Sequence, residues 1–113
     1  MKKLLLFAVL LVGLASCQQN NPKVYDVEYT FTGGDCYLQY MNETESYSTL
    51  SSVSGTWSYT CQKTSGDVVY LHVDNNQGET GTHTIRVYLD GVLFKEASGS
   101  GATGIATIQE ILE

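Results

Sequence analysis

The stretch Val24-Tyr25-Asp26-Val27-Glu28-Tyr29-Thr30-Phe31-Thr32-Gly33-Gly34 alternates apolar and polar side chains almost residue by residue. In an extended chain successive side chains point to opposite faces, so Tyr25, Val27, Tyr29 and Phe31 share one face, and Asp26, Glu28 and Thr30 the other. That period of two, carried by β-branched and aromatic residues, predicts a half-buried β-strand. The glycine pair Gly33-Gly34 predicts its end, because glycine weakens a strand interior and favours turns.

The alternation recurs along the chain. Cys36, Leu38 and Tyr40 alternate with Tyr37, Gln39 and Met41; a weaker stretch covers 47–53; Trp57, Tyr59 and Cys61 then alternate with Ser58, Thr60 and Gln62. After a turn at Ser65-Gly66-Asp67, Val69, Leu71 and Val73 are expected to face inward, and Tyr70, His72 and Asp74 outward. Residues 75–81 read as a polar loop. Asp90-Gly91 is a dipeptide suited to a type I′ hairpin, since both central residues of that turn need positive φ. It predicts Leu89 opposite Val92 and Val87 opposite Phe94 on the core face, with Tyr88 and Leu93 paired outside. A Ser/Gly turn at 98–101 leads to a last strand with Ala106 and Ile108 inward. Seven or eight short strands joined by polar turns predict an all-β domain over 24–113, a two-sheet antiparallel β-sandwich of immunoglobulin-like type.

The run Val27-Glu28-Tyr29-Thr30-Phe31-Thr32-Gly33 resembles the opening V-x-Y-x-x-T-G strand of the MmpS-like membrane-anchored accessory proteins. Tyr40-Met41-Asn42, the isolated Trp57, residues 71–75 and the Asp90-Gly91 hairpin with its Gly-rich final strand follow in the same order. The resemblance spans about residues 24–112. It implies a small β-sandwich held at a membrane, and a partner among envelope proteins such as RND-type exporters.

Residues 1–23 carry a different message. Met1-Lys2-Lys3 is a basic start, Leu4 to Val12 is an unbroken apolar run, and Leu14-Ala15-Ser16 places small residues before Cys17. The order is that of a secretory signal, and the apolar run is too short for a transmembrane helix, which needs about 20 residues. With Cys17 after the cleavage point, Leu14-Ala15-Ser16-Cys17 resembles the lipobox of bacterial lipoproteins. That likeness implies a signal peptide over 1–16, diacylglycerol on the Cys17 thiol, and acylation of the new N-terminus. Residues 17–23 read as the lipidated cysteine and a short polar tether. No acidic cluster follows Cys17 of the kind that resembles a surface-export signal, so the expected address is the periplasmic face of the outer membrane.

Removing residues 1–16 from the 113 leaves 97, enough for one small domain. The formal charge of −6 includes Lys2 and Lys3; without them the chain has 4 basic and 12 acidic side chains, or −8. So acidic a body is repelled by nucleic acid, and its expected membrane contact is the lipid on Cys17. Cys36 and Cys61 remain as an even pair on the apolar parity of their strands. In an oxidising compartment that favours a disulfide; two buried thiols are the alternative, and neither cysteine has a His or Cys at metal-ligand spacing.

Visible chemistry is otherwise absent from the sequence. Gly99-Ser100-Gly101-Ala102-Thr103-Gly104 matches G-x-G-x-x-G, but only nine residues follow and they read as a strand, so it is a Gly-rich turn rather than a dinucleotide site. Asp74, Asn76, Gly78 and Glu79 depart from a calcium loop at the sixth and twelfth positions. His72 and His83 lack a third ligand or an assigned base. Asn42-Glu43-Thr44 fits a glycosylation sequon and marks an exposed turn. No metal, no cofactor and no enzymatic activity are expected. The compositional excess is eight tyrosines. Tyr25, Tyr29, Tyr40 and Tyr59 fall on core-facing parity, whereas Tyr37, Tyr70 and Tyr88 fall outward. Those three either cover a small sheet by cross-strand pairing or form an aromatic binding surface, because tyrosine gives a large rigid contact at small entropic cost. The expected function is a membrane-anchored, non-catalytic accessory protein with an envelope protein partner, or else a binder of glycans or small ligands.

Overall fold

The structure, a computed structural model, describes residues 22–76, 81–101 and 104–113. Six strands follow one another: β1 (Val24–Met41), β2 (Tyr47–Thr64), β3 (Val68–Asn75), β4 (Thr82–Leu89), β5 (Val92–Ser100) and β6 (Ile105–Ile111). All pairings are antiparallel and belong to one sheet, ordered β5-β4-β1-β3-β6 with β2 also paired to β1. The sheet rolls into a nearly closed barrel. This corrects the expected seven- to eight-stranded, two-sheet immunoglobulin-like sandwich, and with it the MmpS-like resemblance, which implied that sandwich.

The physical reason lies at Gly33 and Gly34. They do not end the first strand; they let it bend and continue for a total of 18 residues. A Cβ on Gly33 would stand 2.7 Å from Nδ1 and 2.9 Å from Cα of His83, so only glycine permits β1 to pass β4 this closely. Before the bend β1 pairs with β4, from Val27 opposite Leu89 to Thr32 opposite Thr84. After it β1 pairs with β3, from Cys36 opposite Asn75 to Tyr40 opposite Leu71. The strand β2 follows β1 through the bend, using Gly55 at φ 78°, and so fuses the two stretches expected at 47–53 and 57–61.

Every strand segment therefore runs between two ends of the barrel. One end holds Val24, the hairpin at 42–46, the turn at 65–67, the Asp90-Gly91 turn and the C-terminal residues. The other holds the bend at 33–35, the ends of β3 and β5 and the starts of β4 and β6. We call them the tether end and the bend end.

The core follows the alternation. Val27, Tyr29, Phe31, Cys36, Leu38, Val69, Leu71, Val73, Ile85, Val87, Ala106 and Ile108 are buried, with Leu112 plugging the tether end. The Asp90-Gly91 turn takes positive φ at both residues, 52° and 82°, and pairs Leu89 with Val92 and Tyr88 with Leu93. Beyond it a bulge brings Lys95, not Phe94, opposite Val87. Val92 is 69 % exposed rather than in the core. Where β5 meets β6 no ladder forms among the described residues, but a Cβ on Gly99 would lie 2.5 Å from the Ile105 carbonyl oxygen, and Lys95 Nζ stands 3.6 Å from Glu110 Oε2.

The disulfide expected between Cys36 and Cys61 is not formed. Cys61 is opposite Val27, and Cys36 follows Val27 by nine positions on the same strand. The Gly33-Gly34 bend lies between them, and Cys36 is opposite Val53 rather than Cys61, so the register never sets the two cysteines against each other as a bridge requires. Shared parity put both cysteines on the inner face without bringing them together.

Candidate binding face

The interior leaves little room for a ligand. Tyr29, fully buried, is edge-on to Tyr40 at 5.9 Å and stacked on Tyr59 at 5.9 Å; Tyr40 lies 5.2 Å from Trp57 and 4.6 Å from Tyr59. These rings close the space between the two halves of the bent hairpin. Their hydroxyls serve the hairpin tip: Tyr29 donates to the Met41 carbonyl at 2.8 Å, and Tyr59 accepts from the Glu43 amide at 3.1 Å. Burial drives the Tyr29 phenol far above its ordinary value, so it stays a neutral donor.

Lys63 completes this closure and was not foreseen. It continues the inner parity of Trp57, Tyr59 and Cys61, and is 2 % exposed. Its ammonium donates to the Asn42 carbonyl at 2.8 Å and pairs with Glu45, whose other oxygen accepts the Val68 amide at 2.8 Å. A buried charge needs such partners. A lysine on the apolar face of an otherwise uncharged strand was the signal available in the sequence.

Neither thiol is arranged as a nucleophile. Burial raises the Cys61 thiol above its ordinary value, against the opposing pull of Lys63, and a reactive cysteine needs the reverse. Cys61 borders a hollow of about 450 Å³ with Asp26, Glu28, Glu43 and Gln62, whose acidity does not favour a thiolate. Among the described residues no group of His, Cys, Asp and Glu gathers at metal-binding distance. The calcium-like loop falls partly on 77–80 and the G-x-G-x-x-G run partly on 102–103, outside the described residues. His83, expected at a strand start, is fully buried: Nδ1 accepts the Gly34 amide at 3.2 Å, and the ring lies 6.5 Å from Phe31. In the exposed turn at 42–46, Asn42 Oδ1 accepts the amides of Thr44 and Ser46.

The outer wall formed by β3 and the second half of β1 is different. Register places Gln39 opposite His72 and Tyr37 opposite Asp74, all on the outer parity. Tyr70 and His72, two positions apart on β3, hold their rings 6.3 Å apart and nearly parallel, 14° between planes. Tyr47, opposite Met41 at the start of β2, meets Tyr70 edge-on at 5.3 Å. The His72 ring is fixed by Thr107 Oγ1 at 2.8 Å from Nδ1. Partial burial, then the nearby Tyr47 and Tyr37 phenols, push the Tyr70 phenol above its ordinary value.

The three tyrosines expected to form one surface are thus divided. Tyr37 and Tyr70 share this wall. Tyr88 stands on β4, opposite Glu28 and Leu93, and borders a shallow hollow of about 370 Å³ with Thr30, Thr32, Ser58 and Arg86. The wall gains Tyr47 and His72 instead. Tyr47 was missed because its stretch alternates weakly, and because its neighbour Tyr70 is 23 positions away in sequence.

Compared with known proteins, the chain matches no family model and no curated protein.

Proposed function

We propose that the chain is a lipid-anchored, non-catalytic binding protein of the bacterial cell envelope, facing the periplasm from the outer membrane and held there through acyl chains on Cys17. The basic, apolar and small-residue order before Cys17 supports the address. The observation that carries the binding role is the aromatic wall of Tyr47, Tyr70 and His72, whose rings are fixed by one another and by Thr107, with Tyr37 on the same outer face. Rigid rings on a sheet lose little entropy on contact, and tyrosine gives each contact both an apolar face and a hydroxyl. An envelope protein is the partner that fits best, because aromatic anchors dominate such interfaces.

Cross-linking in mild detergent tests this: the wild type should recover a defined partner, and Tyr47→Ala with Tyr70→Ala should lose it. Recovery of the same partner by the double variant would move the contact elsewhere. A second reading, a glycan, is favoured by the amide and hydroxyl side chains of Gln39 and Thr107 beside the rings. Binding to a glycan array that disappears in the same double variant would select it.

A further inference from the structure

Six large apolar side chains are exposed among the described residues: Val24, Tyr47, Val92, Leu93, Ile105 and Ile111. Five of the six crowd one end of the barrel. Val24, Tyr47 and Val92 are the first residues of β1, β2 and β5, Leu93 is the second residue of β5, and Ile111 is the last residue of β6. All five stand at the tether end; Ile105 alone is at the bend end. Ile111, 66 % exposed, and Val92, 69 %, leave more than half of their surface in water. Between β5 and β6 the same end opens a groove of about 350 Å³, lined by Tyr25, Leu89, Phe94, Ile111 and Leu112 together with the charged Lys95, Glu110 and Glu113. Apolar surface gathered at one place on a small acidic protein marks a contact.

The chain itself indicates the contact. Cys17 precedes Val24 by seven residues, so even a fully extended tether spans only ~25 Å. The entry point is fixed, because the Lys23 amide donates to Ser65 Oγ at 3.0 Å and Tyr25 Oη donates to the Glu113 carbonyl at 2.6 Å. We propose that the tether end is a membrane seat: Val24, Val92, Leu93 and Ile111 rest in the interfacial layer of the bilayer that holds the lipid on Cys17, while Tyr47 stays packed on Tyr70 at the edge of the aromatic wall. This rests on the lipid-anchor reading and adds an orientation to it. The barrel stands end-on, with its bend end pointing away and the aromatic wall along its side.

Of the carboxylates at this end, Glu43 and Glu113 are exposed and would meet the headgroups, while three others are engaged within the protein. Glu45 is paired with Lys63, Asp67 accepts the Thr64 amide at 2.8 Å, and Asp90 accepts the Asp26 amide at 2.8 Å. Each is directed at its own protein. They make phosphatidylcholine the appropriate probe, since anionic headgroups would be repelled.

The test uses the mature protein reconstituted into phosphatidylcholine vesicles with brominated acyl chains, which quench nearby tryptophan. In a Trp57→Phe background, Val92→Trp and Ile111→Trp should each show a roughly two-fold or greater loss of emission, as expected for side chains at the headgroup boundary, while Ile105→Trp stays unquenched. Equal, unquenched emission at all three positions overturns the seat. Flotation of the wild type with the same vesicles reports the anchor separately: a floating protein with an unquenched rim leaves the anchor and removes the seat, and a protein that does not float removes both. Hydrogen exchange of the unsubstituted protein guards against misfolded variants. Slower exchange over 91–95 and 108–112 on vesicles, with 97–101 unchanged, supports the seat. The same slowing without vesicles, growing with protein concentration, would assign the rim to a second copy and overturn it.

Discussion

The two ends of the barrel are closed by different balances of polar contact and removed volume. At the tether end side chains reach across strands to backbone groups: Lys63 to Asn42, Glu45 to Val68, Asp90 to Asp26 and Asp67 to Thr64. The bend end has such contacts too, Asn75 donating to the Gly101 carbonyl and Asn76 to Asp35, but its closest approaches depend on side chains that are missing. Gly33 admits His83, Gly99 admits the Ile105 backbone, and a Cβ on Gly104 would stand 2.9 Å from the His83 ring. The difference teaches that one sheet can be shut by added polar contacts where chains turn and by removed volume where they cross.

The largest expected effect breaks the bend end. Gly99→Val sets a branched side chain against the backbone of β6, which cannot yield like a flexible tip, and overpacking of this kind costs about 3 kcal/mol. Urea unfolding should show that loss. Lys63→Ala follows at the tether end. It leaves the Asn42 carbonyl and the Glu45 carboxylate without their cation, but Glu45 keeps a third of its side chain in water, so the loss should be about 2 kcal/mol, below the range for fully buried pairs. If Lys63→Ala proved more damaging than Gly99→Val, the polar end would be the stronger closure and the comparison would be reversed.

Asp90→Ala is smaller. It removes the acceptor of the Asp26 amide and a residue suited to positive φ, for an expected loss of about 1 kcal/mol in the same urea series. The smallest effect appears only in acid. Asp35, at the bend, accepts hydrogen bonds from Ser52 Oγ at 2.6 Å and Asn76 Nδ2 at 2.9 Å, which hold its carboxyl below the ordinary value. A carboxyl lowered by folding stabilises above its unfolded pKa of about 4, and that stabilisation is lost as pH falls through the folded value. Melting temperatures from pH 5 to pH 2 should therefore fall more steeply for wild type than for Asp35→Asn. Parallel curves would show that the bend owes nothing to this carboxylate.

Much of the inner surface was legible in the sequence. Alternation identified Val27, Tyr29, Phe31, Leu38, Val69, Leu71, Val73, Ala106 and Ile108 as inward-facing because burial selects one face of each strand regardless of how the strands are arranged. The arrangement was not legible, because glycine has two uses that look alike in one dimension. At Gly91 it supplies positive φ for a turn; at Gly33 it supplies space for His83 on a strand that goes on. Only the strand that comes to lie alongside, 50 residues later, separates the two. The same limit explains the cysteines, whose parity was right and whose positions along β1 and β2 were far apart. On the outer wall, Tyr37 and Tyr70 were visible as outward residues. Their separation from Tyr88, and the joining of Tyr47, depend on which half of β1 each partner strand chooses.

The bent first strand also sets the order of events when the chain folds. Val24–Met41 is the first of the six strands among the described residues, yet it pairs with β2, β3 and β4. Its hairpin with β2 can form locally, but Val27 waits for Leu89 and Phe31 for Ile85, more than 50 residues later. Loop closure over such distances comes before the contacts that reward it, which places folding in the slow, millisecond-to-second regime of non-local β-proteins. During any N-to-C emergence the apolar face of β1 stays uncovered until β4 arrives. The same strand that organises the finished barrel is therefore its longest-lived liability while the barrel is being made.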